Sequence, residues 1–241
     1  MEGTRPGIVA DGLHDEAPGS HGETLLSDRL YVLFDRSLND VPLVIIIRAR
    51  RLFPMSDGAL QTTPHYLTEA EYIALEMASD VRHEFVDGAM YAMTGTSKRH
   101  NLVAQRFTRR LADAAESSGC RVWQESIRLR ASSGRHYYPD VLVACGDEPE
   151  NETAYTEDAP CLIVEVLSPS TTATDRREKR IAYCALPTVR HYLVVDPEKN
   201  VIEHHRRIDE ETYDLFVHRP GDTIELSCPP GARLDVGWLL A

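Results

Sequence analysis

The chain has 241 residues, 42% of them hydrophobic and 27% charged, with a formal net charge of −12. That balance suits a soluble globular protein with one domain of roughly 150–200 residues plus an extension. So negative a charge argues against indiscriminate binding to phosphate backbones while leaving a local basic surface open, and the apolar run from Val41 to Ile47 falls far short of the roughly 20 residues of a membrane span.

Residues 1–60 read as an N-terminal extension, partly disordered or from a mis-annotated start. Their first two dozen positions are rich in Gly, His, Pro and acids; two apolar runs, LYVLF and PLVIII, follow around a polar turn and could add a strand pair. Met55 is a second candidate for the translation start. No basic-then-apolar leader opens the chain, so the expected location is cytoplasmic. Five cysteines, Cys120, Cys145, Cys161, Cys184 and Cys228, are spread without a CxxC pair. They read as reduced thiols rather than a disulfide framework or a zinc site.

Residues 61–241 read as one domain. Thr68 with Glu71 three positions on forms a capping box for a helix over 69–79. His83–Val86 reads as a strand carrying Glu84, Asp87-Gly88 as a tight turn and Ala89–Met93 as the return strand. From Ser97 to about Ser117, Leu102, Val103, Phe107, Leu111 and Ala115 recur at helical spacing, with Arg106, Arg109 and Arg110 alongside. That is an amphipathic helix with a basic flank, and such a flank is most often simply solvated. His100 at its start is either a solvated side chain or a phosphate contact and proton carrier. Strands at about 120–124 and 126–130 follow, and Gln124 is either a sheet-surface amide or a side chain aimed into a cleft.

Two apolar strands then carry acids where burial is costly. Pro139-Asp140-Val141-Leu142-Val143-Ala144 places a carboxylate at the head of an apolar run, and CLIVEVLSPS places Glu165 inside one. Side chains alternate along a strand, so Leu162, Val164 and Val166 share one face and Ile163, Glu165 and Leu167 the other. An ionised carboxylate in such a place needs a compensating charge or hydrogen bonds, and a divalent cation is one solution. TTATDRREKRIAYCAL reads as a helix on which Asp175, Lys179, Ala182 and Tyr183 share a face. Two acids and an amine brought together would suit metal-assisted hydrolysis. Taken singly, Asp140 also reads as a strand-start cap, Lys179 with Asp175 as an ordinary helix pair, and Tyr183 as packing. Strands over 191–195, 201–207 and 212–218 complete the reading.

Charge is uneven along this layout. Ser97–Tyr138 holds nine Lys or Arg against three acids, and Pro139–Pro160 holds seven acids and no Lys or Arg. The basic stretch, which includes His100, Arg106, Arg109, Arg110 and Gln124, is the candidate nucleic-acid surface leading into the Asp140 strand.

From about Tyr66 to about Arg207 the chain resembles the bacterial "putative restriction endonuclease" family, a branch of the PD-(D/E)xK nuclease superfamily. The matching elements, in order, are HEFVDG, YYPDVLV, LIVEVLSPST, DRREKRIAY and HYLVVDP. The resemblance implies an α/β, restriction-endonuclease-like core, a mixed central sheet flanked by helices. It also implies a metal-dependent endonuclease hydrolysing DNA phosphodiester bonds with Mg2+ or Mn2+. By the same resemblance Asp140 and Glu165 are metal ligands, and Glu84 is the additional acid that joins them at the metal and assists catalysis. The lysine expected two positions after the second acid is replaced by Leu167, and Lys179 matches the amine supplied by the following helix. DNA is the implied partner, a homodimer would suit the cutting of two strands, and no membrane is involved. Leu167 and the acidic charge favour one alternative, a non-catalytic nucleic-acid or protein-binding module on the same fold; a buried ion-pair network without nucleic acid is another.

Overall fold

The computed structural model describes residues 30–35, 43–48, 66–146, 154–168 and 173–241, with the backbone alone at 30–35, 43–48 and 173–176. The expected start at Met55 and the leading acidic stretch lie outside the described residues. β1 (Leu30–Asp35) and β2 (Leu43–Arg48) pair antiparallel. α1 (Glu69–Met77) starts at the expected capping box, in which Thr68 Oγ1 accepts from the Glu71 N–H and the Glu71 carboxylate accepts from the Thr68 N–H. β3 (His83–Val86) and β4 (Ala89–Ala92) turn about Asp87 and Gly88 at φ 48° and 94°, the positive values that a two-residue hairpin turn requires.

The domain then runs through α2 (Lys98–Glu116), β5 (Cys120–Gln124), β6 (Arg128–Ser132), β7 (Arg135–Tyr137) and β8 (Val141–Cys145). After these come β9 (Thr156–Glu157), β10 (Leu162–Val166), α3 (Ala173–Cys184), β11 (His191–Asp196) and β12 (Val201–Arg207). β13 (Tyr213–His218), β14 (Thr223–Glu225), β15 (Arg233–Asp235) and α4 (Val236–Leu240) close the chain. The central sheet has the order β13-β12-β11-β10-β8-β5; only β10 and β11 are parallel in it. Parallel neighbours cannot be joined by a hairpin, so α3 is the crossover between them and lies against the sheet. A second sheet, β4-β3-β7-β6-β9, carries Glu84.

The alternation read from sequence sorts the core. Leu162, Val164 and Val166 pack with Val103, Phe107 and Leu111 of α2 and with Leu239 and Leu240 of α4. Ile163 and Leu167 pack on the other face with Tyr137 and with Ala182 and Tyr183 of α3. Glu165 therefore projects toward α3. Side chains such as Phe107 and Leu111, fully removed from water, contribute about 1.5–3 kcal/mol each. β14, β15 and α4 carry Ile224, Leu234, Val236 and Leu239 into the first core. The sequence reading stopped at residue 218 because three-residue strands are too short to show a period.

The cysteine reading is corrected. Cys120 is joined to Cys145 and Cys161 to Cys228, and only Cys184 is free among the described cysteines. Strand pairing, invisible as spacing, brings them together: Cys120 and Cys145 are register partners of β5 and β8, and the Cys161 N–H donates to the Val143 carbonyl. Among the described residues no helix is long and apolar enough to cross a membrane.

Candidate metal and catalytic site

Where β8 and β10 part, two acids meet. Their antiparallel ladder runs only from Leu162↔Val143 to Val164↔Val141, and Pro139, lacking an N–H, cannot continue it. The Val166 N–H instead donates to Asp140 Oδ2 at 2.6 Å. The Asp140 carboxylate thus takes the place of a ladder acceptor, which fixes it beside the strand that carries Glu165.

Glu165 is the most constrained charge in the group. The Tyr183 hydroxyl donates to its Oε1 at 2.7 Å, and Lys179 Nζ lies 3.5 Å from the same oxygen. Burial pushes its carboxyl pKa well up; Lys179 pulls it down, while Asp140 and Glu84 push it further up. Carboxylates crowded in this way call for additional positive charge.

The second sheet supplies Glu84. β3 pairs with β7 through Phe85↔His136, which sets Glu84 beside the chain leaving β7. Its Oε1 accepts from the Tyr138 N–H at 3.4 Å and from Lys179 Nζ at 2.8 Å. One ammonium from α3 therefore bridges acids from two sheets, with only 12% of its side chain exposed. Leu167, where a lysine would be expected, is half-buried and packs against the core that Ala182 and Tyr183 of α3 help to form.

Tyr183 is more than packing. Its ring is held edge-on between Tyr137 and Tyr192 while its hydroxyl orients Glu165. Tyr137 in turn donates to Glu178, one position before Lys179. Asp175 has no described side chain, so its expected pairing with Lys179 lies outside the described residues.

His100 corrects the solvated reading. It is only 4% exposed, with Nε2 3.2 Å from Asp140 Oδ2. Burial opposes its protonation, but Asp140, the Val166 carbonyl and Glu125 together outweigh that and raise its pKa. Its place follows from the Ser97 cap, whose side chain accepts from the His100 N–H and sets the first turn of α2 over the end of β10.

The sequence reading missed Glu125. It follows β5 at a φ of 52°, a left-handed conformation rare outside glycine, and its N–H donates to the Asp140 carbonyl. His100, Glu125 and Asp140 bring one ligand atom each to within 4.8 Å of one another. Glu125 Oε1 and His100 Nδ1 are buried without a hydrogen-bond partner. A run of strand, acid and small polar residue, Gln124-Glu125-Ser126, gave no periodic signal that would have singled it out.

A hard divalent cation fits this donor set. Asp140 and Glu125 oxygens meet beside His100, Asp140 and Glu84 both bear electrostatically on Glu165, and Glu125 Oε1 is a buried carboxylate oxygen without a partner. The tightest triplet is Asp140 with His100 and Glu125, whereas Glu84 and Glu165 are turned to Lys179.

The remaining expected residues lie apart from this group. Gln124 Oε1 accepts from Thr108 Oγ1, tying β5 to α2. Arg106 donates to the Leu239 and Ala241 carbonyls, and both Arg106 and Arg110 lie over the Trp238 ring. Arg109 is exposed. Two of the three arginines thus hold the C-terminal helix.

Residues 69–237 match the family model described as "Putative restriction endonuclease" (Uma2). An uncharacterized protein of Synechocystis sp. is 30% identical over 161 residues, 66% of this chain and 84% of that protein. A second from the same organism is 29% identical over 169 residues, 68% and 93% of the two chains. In three dimensions the chain is similar to the crystal structure of a "putative nuclease" from Anabaena variabilis, with a TM-score of 0.59 and 19% identity. That likeness covers 73% of this chain and 99% of the other. It bears on fold alone, and the mixed sheet flanked by helices is the architecture expected from sequence.

Proposed function

Because the chain belongs to the "Putative restriction endonuclease" family, we propose that it is a nuclease that uses a divalent cation to hydrolyse phosphodiester bonds in DNA. The observation that carries this reading is Lys179, delivered by α3 to 2.8 Å from Glu84 and 3.5 Å from Glu165. It answers the absence of a lysine at Leu167, the feature that favoured a non-catalytic module.

Mg2+ or Mn2+ held by Asp140 and Glu165, with Glu84 near, would act as a Lewis acid on a water and on the scissile phosphate. Asp140 is anchored for that role by the Val166 N–H and by His100. Tyr183 is a positioning residue that orients Glu165. Glu84 holds the Lys179 ammonium in place, and that ammonium would donate to the attacking water or to the charge that develops on the phosphate oxygens. Arg109, exposed on α2, is available to the phosphate backbone, and cutting both strands would call for two copies.

The test is cleavage of supercoiled and single-stranded DNA with Mg2+, Mn2+ or EDTA, beside Lys179→Met checked for folding. The expected result is metal-dependent cleavage that falls roughly 100-fold or more in the variant. Wild type without cleavage, or Lys179→Met cutting at the wild-type rate, overturns the reading.

A further inference from the structure

We propose that Cys120, Cys145, Cys161 and Cys228 are a tetrathiolate site for a soft divalent cation, Zn2+, separate from the acidic site, and that the paired disulfides are its oxidised, metal-free form. The four residues come from four different segments: the first residue of β5, the last of β8, the residue before β10, and the loop between β14 and β15. Two structural disulfides would not need to touch. These do, since Cys145 Sγ lies 3.4 Å from Cys161 Sγ and 3.5 Å from Cys228 Sγ.

Those two separations decide between a pair of staples and one site. In a tetrahedral thiolate centre with metal–sulfur bonds of about 2.3 Å, the sulfurs stand about 3.8 Å apart. The contacts between the two pairs are already close to that edge. Cys145, Cys161 and Cys228 also meet as a triplet within 4.8 Å, with Cys120 bonded beside them. Cys120, Cys161 and Cys228 are 7%, 7% and 2% exposed, the dry closed surroundings of a structural centre, while Cys145 is exposed and provides the entry. Thiolate sulfur selects Zn2+ over the hard cation that suits the carboxylates.

The chemistry balances with a dithiol reductant as co-reactant. Each disulfide takes two electrons and two protons from it, breaking one S–S bond and giving two thiols, and the reductant leaves as its own disulfide. Zn2+ then displaces the four thiol protons to solvent as four Zn–S bonds form. Cys228 lies in the segment that carries α4 onto α2, so the centre would clamp the C-terminal hairpin to the central sheet.

The experiment uses the full chain, produced with zinc in the medium and purified anaerobically with a dithiol reductant. Native mass spectrometry and elemental analysis are expected to give one zinc per chain, released in step with titration by an organomercurial of four of the five thiols, the fifth being Cys184. Asp140→Ala should keep the zinc; Cys145→Ser with Cys228→Ser should lose it. Should that pair fail to fold, Cys145→Ser alone, at the exposed corner, is expected to lower zinc affinity at least tenfold. Cobalt loaded in place of zinc should show the absorption of a tetrahedral thiolate site. A reduced chain free of zinc, zinc retained by the double variant, or zinc lost with Asp140→Ala each overturns the proposal. Cleavage activity is not read out in any of these, so failure here and failure of the nuclease reading are separate results.

Discussion

Two buried polar clusters sit on the same central sheet and are built in opposite ways. Where β8 and β10 part, Asp140, Glu165 and Glu84 gather around the Lys179 ammonium and His100, and Glu125 Oε1 and His100 Nδ1 have no hydrogen-bond partner. On β11 and β12, His191 and His204 meet with Ser227 and no carboxylate. There the Ser227 N–H donates to His191 Nε2 at 3.0 Å, which leaves the Nδ1–H of His191 to donate to His204 Nε2 at 2.9 Å. Burial, helped by nearby arginines, pulls the His191 pKa down to about 4; burial and His191 pull His204 down to about 3. One cluster is neutral, and its His191, His204 and Ser227 are bonded to one another, with His218 Nε2 beside them a buried ring nitrogen without a hydrogen-bond partner. The other holds charge that its own residues do not balance, and such an imbalance is the mark of a place where a ligand belongs.

The sharpest way to break this comparison is Glu165→Gln. If the acid cluster is a working site, metal-dependent cleavage falls roughly 100- to 1000-fold. The melting temperature should hold or rise, because Gln keeps the shape and removes an ionisation that burial and two neighbouring acids already oppose, while Lys179 keeps Glu84 as its partner. A melting temperature lowered by many degrees would make Glu165 a member of a structural ion-pair network instead. The next largest effect is expected in the other cluster. His191→Ala leaves the His204 ring and the Ser227 N–H without their partner and should cost about 1–3 kcal/mol in urea unfolding, with cleavage per folded molecule unchanged. Loss of cleavage in that variant at full folding would erase the distinction.

Counted per histidine and per pH unit, the smallest effect is in pH. Both histidines have folded pKa values below the 6.5 of the unfolded chain, so the unfolded state binds the proton more readily. Their contribution is complete above about pH 6.5 and is lost as pH falls toward about 4. The loss is at most about 1.4 kcal/mol per pH unit for each histidine that must charge. Unfolding free energies at pH 7.5 and 5.0 should show this slope, and His204→Phe should flatten it. A slope unchanged by that substitution would show that His204 is not held neutral.

The same contrast separates what could be read from sequence. The capping box at Thr68 and Glu71, the Asp87-Gly88 turn and the faces of β10 rest on interactions between near neighbours, so local pattern revealed them. Asp140, Glu165 and Lys179 stood out for a related reason: each breaks the pattern of its own segment or matches a family motif. His100 read as solvated because nothing near it in the chain says that a strand end 40 residues later will bury it. Glu125 gave no signal, since its left-handed backbone and its bond to the Asp140 carbonyl are set by the turn after β5. The arginines of α2 read as a basic flank because Trp238, which Arg106 and Arg110 cover, lies more than 120 residues away.

By itself the sequence determined the periods, caps and turns of the main elements, the family, and the acids and lysine that disturb apolar runs, because these depend on residue type and on short-range spacing. Only the tertiary structure decided which of those residues meet. The parting of β8 from β10, the crossover through α3 and the pairing of β3 with β7 bring Asp140, Glu165, Lys179 and Glu84 to one point. The register of β5 on β8, and the return of the C-terminal hairpin, gather four cysteines that spacing kept apart. Both outcomes depend on strand pairings between distant segments, whose free energy comes from the core as a whole and not from any stretch of chain that could be read alone.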